Sequence, residues 1–577
     1  MIDTADTRGA ELEAMVASLT AERDRLAAER DHVAVERDHL RLAYQDLQHE
    51  LALLKKRLFD AKRERIDTAQ LELELGAKLA ALDALNRQLS QADTGSEATG
   101  DKPGGPGAGR GPGKPKPRPT GRRDLAETDL PVERLEQTDP ALEGKAERIG
   151  WEESSRTAYR RGGLVRLVTA RAIYKQPAPP ETPDAPPVIT TVPLSPTILP
   201  RSLATPSLIA HIATAKFCDG LPLHRQEDRF DRLGFPLDRG SMCRWLEDVG
   251  ATLGATVVAA MRDEALRTAF CIATDATGIL VQPIQGGDQP RRGCTRGHYF
   301  VQIADADHVF FEYTPRETSA AVAELFAGFS GYVLADAKSV YDFLFRAPER
   351  PPPDGDEPPV LHEVGCWAHA RRKFWEAAVT TADPVAREGL LRIGRIFDLD
   401  RRWKKASAVE RKAMRELHVR PHLDAFFAWV ADEHERVKDQ RGLVRTAIGY
   451  AHRQRGALTR FLDDGRLPLT NNQSERELRR VAVGRKAWLF VGSDDHAQAA
   501  GNHLTLVASA RLHRLDPEAY LRDVLRVLPH WPRDRYLELA PRYWLATRAR
   551  LDPRQLELEI GPLDVPSPPS SEQPATR

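Results

Sequence analysis

The chain has 577 residues, enough for several domains and a large buried core, and its 84 lysines and arginines balance its 84 aspartates and glutamates. Global charge therefore names no partner, and a polyanion-binding surface has to arise by local segregation of charge. The five scattered cysteines (Cys218, Cys243, Cys271, Cys294, Cys366) contain no C-x-x-C pair. That argues against a disulfide framework and against the usual structural zinc spacing.

Residues 1–93 are read as a coiled coil, because A-E-R-D-R-L, A-E-R-D-H-V and V-E-R-D-H-L begin at Ala21, Ala28 and Val35, seven residues apart. In that register Leu12, Leu19, Leu26, Val33, Leu40, Leu47 and Leu54 form one seam, with Arg23, Arg30 and Arg37 among the facing positions. Heptads sustained this long predict a coiled coil and self-association, because a lone helix cannot bury the seam. Residues 94–124 collapse to Gly, Pro, Lys and Arg, too poor in apolar surface to fold. They predict an extended basic tether, suited to DNA phosphates or to plain solubility.

Residues 125–176 contain G-G-L-V-R-L-V-T-A-R-A-I-Y, an apolar–polar alternation that predicts a small strand-rich module. A proline-rich linker is expected over 177–200. Helical patterns follow in 201–262, broken by G-F-P-L-D before Arg239, with Asp238 placed as an N-cap. This is a helix-turn-helix-like shape, which occurs in DNA readers and in ordinary helical bundles.

After Arg267 the hydrophobic period changes from 3.6 to 2. The stretch T-A-F-C-I-A-T-D-A-T-G-I-L-V-Q reads as a buried strand with Asp275 at its end or at a bulge by Gly278, and two further strands follow, joined through Asp305 and Asp307. A helix over Thr318–Ser330 leads to G-Y-V-L-A-D, a strand ending at Asp336. Two strands of one sheet, each offering an aspartate, suit divalent cations that take oxygen ligands. Asp305 and Asp307 are assigned to turn formation, and Asp342 to the surface. The sequence T-N-N-Q-S-E-R-E-L-R then places Glu475 near a helix start. Asn472 as N-cap with Glu475 three residues on is a capping box, so the glutamate has a structural and a chemical reading.

Six motifs in order resolve that choice by resemblance: A-T-D-A-T-G (Ala273–Gly278), L-A-D-A-K-S-V-Y (Leu334–Tyr341), G-C-W-A-H-A-R-R-K-F (Gly365–Phe374), T-N-N-Q-S-E-R-E-L-R (Thr470–Arg479), G-R-K-A-W-L-F-V-G-S (Gly484–Ser493) and D-P-E-A-Y-L-R-D-V-L (Asp516–Leu525). The chain resembles transposases of the insertion sequence 66 family, of the DDE class. The resemblance implies a multidomain α/β protein with a ribonuclease-H-like catalytic core (263–480) and a helical insertion at about 360–465. It adds a C-terminal helical region (481–545) and a tail (546–577) expected to be mostly disordered. It places the catalytic and metal-binding triad on Asp275, Asp336 and Glu475. Two Mg2+ ions are expected, with Mn2+ able to substitute. The reaction implied cleaves the ends of the mobile element and joins the 3′-hydroxyl ends to target DNA.

Arg371, Arg372, Lys373, Arg476, Arg479, Arg480, Arg485 and Lys486 are the local basic excess, assigned to DNA phosphates. His369 and Asn472 are assigned to support of the site. Cys366 and His369 form a C-x-x-H without a second pair, so zinc is not expected. Members of the family often carry a cysteine-rich zinc module after the tether, and here the corresponding stretch has no cysteine. Expected partners are terminal inverted repeats, target DNA, further copies of the chain and small accessory proteins. No apolar run reaches membrane-spanning length and the acidic N-terminus does not resemble a signal peptide, so a cytoplasmic, nucleoid-associated protein with no membrane partner is expected. A non-catalytic architectural DNA-binding protein, and a nuclease without strand transfer, are the rival readings.

Overall fold

The computed structural model describes residues 130–160, 163–176, 187–283, 293–346, 360–381 and 383–568, with Glu22, Arg23, Arg25, Leu125 and Thr128 as isolated positions. The chain divides into two units, Met1–Arg118 and Pro119–Arg577. The heptad seam and the basic tether lie outside the described residues, except that Glu22, Arg23 and Arg25 are helical and exposed. Every element named below belongs to the second unit. Among the described residues no helix is long and apolar enough to cross a membrane.

The alternating stretch folds into β2 (Glu147–Arg160) and β3 (Gly163–Gln176), an antiparallel pair. β1 (Val132–Gln137) runs parallel to β3, and β4 (Val188–Thr191) adds to β3 antiparallel. β4 corrects the linker expected over 177–200: its V-I-T-T is rich in β-branched residues, and neighbouring prolines did not prevent pairing. The tail expectation is corrected as well. Helix Pro553–Glu557 forms, Ile560 and Leu563 are buried, and Glu559 pairs with Arg160 while accepting from the Ser207 amide at 3.1 Å. Residues 552–563 therefore pack against the strand module, where Ile560 joins Ala158 and Leu167 in one small apolar cluster.

Three helices precede the central sheet: α1 (Pro206–Phe217), α2 (Leu223–Arg232) and α3 (Arg239–Leu253). Gly234, at φ +77, makes the left-handed turn after α2, and Asp238 caps α3 by accepting from Ser241 N at 2.9 Å. One face of α3, with Met242, Leu246, Val249 and Leu253, is buried. α4 (Ala259–Thr268) continues after one wide turn and leads into the sheet.

That sheet comprises β5 (Cys271–Val281), β6 (Thr295–Ala304), β7 (His308–Thr314), β8 (Gly331–Ala335) and β9 (Leu361–Gly365), in the order β7-β6-β5-β8-β9. β7, β6 and β5 are antiparallel neighbours, whereas β5, β8 and β9 run parallel. The parallel crossover between β5 and β8 requires a covering helix, supplied by α5 (Ser319–Leu325). α6 (Ser339–Asp342) is a single turn after β8.

β9 leads into a helical insertion: α7 (Trp367–Thr381), α8 (Pro384–Arg402), α9 (Ala408–Met414), α10 (Arg420–Val437), α11 (Leu443–Arg453) and α12 (Arg455–Thr459). It has its own apolar core around Trp367, Phe374, Phe426 and Phe427. Arg415 is fully buried there, but its guanidinium is satisfied by Asp400 and by the carbonyls of Phe461, Asp464 and Leu467. A buried charge with this many partners holds the end of the insertion against the return segment.

The chain returns through α13 (Asn472–Trp488) and α14 (Asp494–Leu512), and ends in α15 (Pro517–Val527) and α16 (Pro541–Arg548). α14 is buried on nearly all sides, and Ser509 and Thr505 accept from the amides of Val309 and Phe311 at 3.0 and 2.9 Å. These are outward amides of the edge strand β7, so α14 closes an edge that would otherwise invite pairing. Gly501 permits the approach: a Cβ there would lie 2.5 Å from the Phe311 carbonyl oxygen.

Candidate active site

The last register pair of the parallel strands is Ala273 opposite Leu334. Two residues further along each strand direction stand Asp275, in β5, and Asp336, directly after β8, at matched level. Both carboxylates are largely buried, with about 15% and 14% of their side-chain surface exposed. The third carboxylate, Glu475, comes from the first turn of α13. What brings α13 to the sheet is Asn471: its side-chain Nδ2 donates to the Thr274 carbonyl at 2.6 Å, and its backbone N–H donates to the Cys366 Sγ at 3.2 Å. Thr274 adjoins Asp275, so one buried asparagine ties the helix start to the strand carrying the first aspartate.

The Lys338 ammonium lies 4.0 Å from Asp275 Oδ1, 3.5 Å from Asp336 Oδ2 and 3.5 Å from Glu317 Oε1. Glu475 is held separately: His369 Nε2 and Arg372 each stand 3.5 Å from one of its oxygens. Burial is the main cause raising the Asp275 carboxyl to about 6. Asp336 and Glu475 push the same way, against the Ala276 amide and Lys338. Burial opposes the charge on Lys338, but Asp336, Glu317 and Asp275 outweigh it and the ammonium is raised. Burial lowers the His369 imidazole, with Arg372 and Lys338 adding to the effect.

The residues present fit a divalent cation. The donors are carboxylate oxygens, Asp336 Oδ1 is buried with no hydrogen-bond partner, and a lysine ammonium already stands between the aspartates as a cation of lower charge. Among the described residues, however, no three His, Cys, Asp or Glu side chains converge closely enough to form a ready cage.

Comparison with known proteins places this geometry in context. A family model described as Transposase IS66 family matches residues 201–499, more than half of the chain. The chain belongs to the IS66 transposase family. Two further models match either side: the IS66 C-terminal element over 505–542, and Transposase C of IS166 homeodomain over 46–135. Two uncharacterized proteins of Sinorhizobium fredii, y4hP and y4qI, are 30% identical over 367 residues and 27% identical over 354. In each case the match covers 60% of this chain and 63% of the relative. The chain therefore spans less than two thirds of the curated relatives it matches.

Within this IS66 family chain, the residues singled out by sequence fall at different places in the fold. Asp275, Asp336, Glu475 and His369 are neighbours in one electrostatic cluster. Asn472 is not part of it: the side chain is exposed, and the adjacent Asn471 does the supporting work. The capping box is absent too, since α13 has no side-chain cap and only the Asn471 carbonyl accepts from the Glu475 amide. Among the basic residues, Arg485 is committed to the Thr277 hydroxyl and the Gly278 carbonyl, pinning α13 to β5. Arg480 pairs with Glu477 at 2.8 Å, Arg372 faces Glu475, and Lys373 lies 4.9 Å above the Tyr450 ring. Arg371, Arg476, Arg479 and Lys486 are exposed. Cys366 and Trp367 are fully buried, and the Asn471 amide uses the thiol as an acceptor. Asp305 accepts from the Phe270 and Cys271 amides, and Asp307 pairs with Arg542. Sequence reading missed Lys338, Glu317, Asn471 and His298, whose Nε2 lies 3.5 Å from Glu317 Oε2. Lys338 left a signal, a cationic residue two positions after the second aspartate.

Proposed function

We propose that this chain is a DNA transposase with a ribonuclease-H-like core, in which Asp275, Asp336 and Glu475 hold two magnesium ions. The observation that carries the reading is the matched pair Asp275 and Asp336 on parallel strands, with Glu475 delivered beside them by a helix tied to Thr274. The sheet order, three antiparallel strands followed by two parallel ones, supports the core assignment. Family membership supports the nucleic-acid substrate.

When bound, the ions would supply Lewis acidity at the scissile phosphodiester and orient the attacking hydroxyl. The chain's own residues do the rest. Asp275 and Asp336 fix the cation position from rigid strands, and Lys338 can release them by turning toward Glu317. His369, neutral at ordinary pH because of burial, keeps Glu475 oriented without quenching its charge. Exposed Arg371, Arg476 and Arg479 offer phosphate contacts around the site. Self-association through residues 1–93 would pair two such sites on two DNA ends.

The test is incubation of the purified full chain with duplex DNA carrying the sequences that flank its gene, with and without magnesium. Magnesium-dependent cleavage followed by joined products supports the proposal. Cleavage without joining makes the protein a nuclease, and binding without cleavage makes it an architectural protein.

A further inference from the structure

A second feature of α13 takes no part in the carboxylate site. A cavity of about 510 Å³ opens between α1, α3, α13 and α14, with Phe217, Trp488, Phe490, Val491 and Leu504 among its apolar walls. Its size lies within the range of about 300–1,000 Å³ typical of pockets that enclose a small ligand. Arg476, Arg479 and Arg480, on one face of α13, line it as well. Arg476 directly follows Glu475.

The turn beside the cavity is strained. Leu489 has φ 65 and ψ −54, and Phe490 N donates to Trp488 O at 2.8 Å, a three-residue turn that non-glycine residues rarely adopt. It is clamped from beyond, because Val491 exchanges backbone hydrogen bonds of 2.8 Å with Leu280 and Gln282 at the end of β5. The outcome is exposed apolar surface at one place: Val483 is 61% exposed, Leu489 64% and Phe490 44%. Large apolar side chains gathered at a polar rim mark a binding surface rather than a packing defect.

Charge says what kind of ligand. Arg476 and Arg479 make no ion pair among the described residues. Lys216 also lines the cavity, 5.5 Å from the Phe217 ring, but burial lowers its ammonium, so the positive rim rests on the two arginines. Of the carboxylates on the wall, Glu247 is tied to His496 at 2.9 Å, leaving only exposed Asp219. An aromatic floor under a cationic rim suits a flat π-system flanked by phosphates.

We propose that this cavity receives one unpaired nucleobase of the DNA, stacked against Phe490 and Trp488, with its neighbouring phosphates on Arg476 and Arg479. The proposal rests on the DNA reading above and extends it. Phosphates held at Arg476 and Arg479 run beside Glu475, so an extruded base would register the strand against the carboxylates. Extrusion costs pairing and stacking, and least where a base is already unpaired. The protein should therefore prefer DNA that contains an unpaired base.

The experiment compares two duplexes of the flanking sequence, one fully paired and one with a single unpaired 2-aminopurine, bound to the full chain without metal. Stacking of a base on an aromatic side chain should favour the unpaired-base duplex about tenfold or more. Binding should also quench its fluorescence. Phe490→Ala, at an exposed side chain, should remove most of that preference and the quenching while leaving the paired duplex bound. Arg476→Ala combined with Arg479→Ala should weaken both duplexes. Equal affinity of the unaltered chain for the two duplexes overturns the base pocket alone, as does a preference that survives both Phe490→Ala and Trp488→Ala. Failure to bind either duplex overturns the DNA reading and the pocket with it.

Discussion

Replacing Asp275 by asparagine should stabilise the metal-free protein while destroying its chemistry. In the folded chain this carboxyl titrates at about 6, against an ordinary 3.8, chiefly because it is buried and secondly because Asp336 and Glu475 repel its charge. Below 3.8 it is protonated in both folded and unfolded chains and costs nothing. As the pH rises from 3.8 to 6 the unfolded chain ionises more readily, and the folded state loses stability. The difference between 3.8 and 6 corresponds to about 3 kcal/mol, fully developed above about pH 7. A neutral amide at this position carries no such cost, so Asp275→Asn should unfold at a higher temperature than the unaltered protein at pH 8 and at a similar one near pH 4. Magnesium should reverse the order, raising the melting temperature of the unaltered chain and not that of the variant. Thermal unfolding at both pH values, with and without magnesium, measures all of this. Equal melting temperatures at pH 8, together with equal magnesium shifts, would refute both the electrostatic account and the assignment of Asp275 as a metal ligand.

Four other outcomes are expected. Glu475→Gln should change stability by no more than about 1 kcal/mol, because its ionic contacts are long and partly exposed; cleavage assays should nevertheless show activity falling by orders of magnitude. Asn471→Ala should cost about 1–3 kcal/mol in denaturant unfolding, since it orphans the buried Thr274 carbonyl, whereas Asn472→Ala should be nearly neutral. Burial holds the His503 imidazole down at about 4, below its ordinary 6.5, so its contribution is present above pH 6.5 and is lost as pH falls through 4. That acid-side loss is about 3 kcal/mol and should shrink in His503→Gln, followed by unfolding between pH 7 and pH 4. Sedimentation should show the full chain heavier than a monomer and a version beginning at Thr94 reduced in mass; equal monomer masses for both would remove the case for a coiled coil.

How far the sequence could be read depends on which interactions decided each element. The change of period after Arg267 announced β5 to β8 because burial on a sheet imposes alternation whatever the partners are. Asp275 and Asp336 were legible for the same reason, since both sit at the same end of apolar strands that pair in parallel. Asn471 was not legible. Local rules favour Asn472 as a cap, but the choice was made by a carbonyl at Thr274, far away in sequence. Arg485 was assigned to DNA phosphates, and only the approach of α13 to β5 shows it as a clamp on the Thr277 hydroxyl and the Gly278 carbonyl. The tail misled in the opposite sense. Its prolines and polar residues suggest disorder, yet Glu559, Ile560 and Leu563 are buried, Ile560 against Ala158 and Leu167 of the strand module.

The arrangement of counter-charges explains how such a site can fold without its ions. Three carboxylates with two of them buried would destabilise one another if left alone. Here each half carries its own cation, Lys338 for the two aspartates and Arg372 for the glutamate. Among the described residues the three carboxylates do not converge into a ready cage. Lys338 holds its place through Asp275, Asp336 and Glu317, and about 42% of its side chain is exposed. Asp275 lies in β5 and Asp336 directly follows β8. Under the proposed function, a doubly charged ion would compete with this one ammonium rather than with the packing of the sheet.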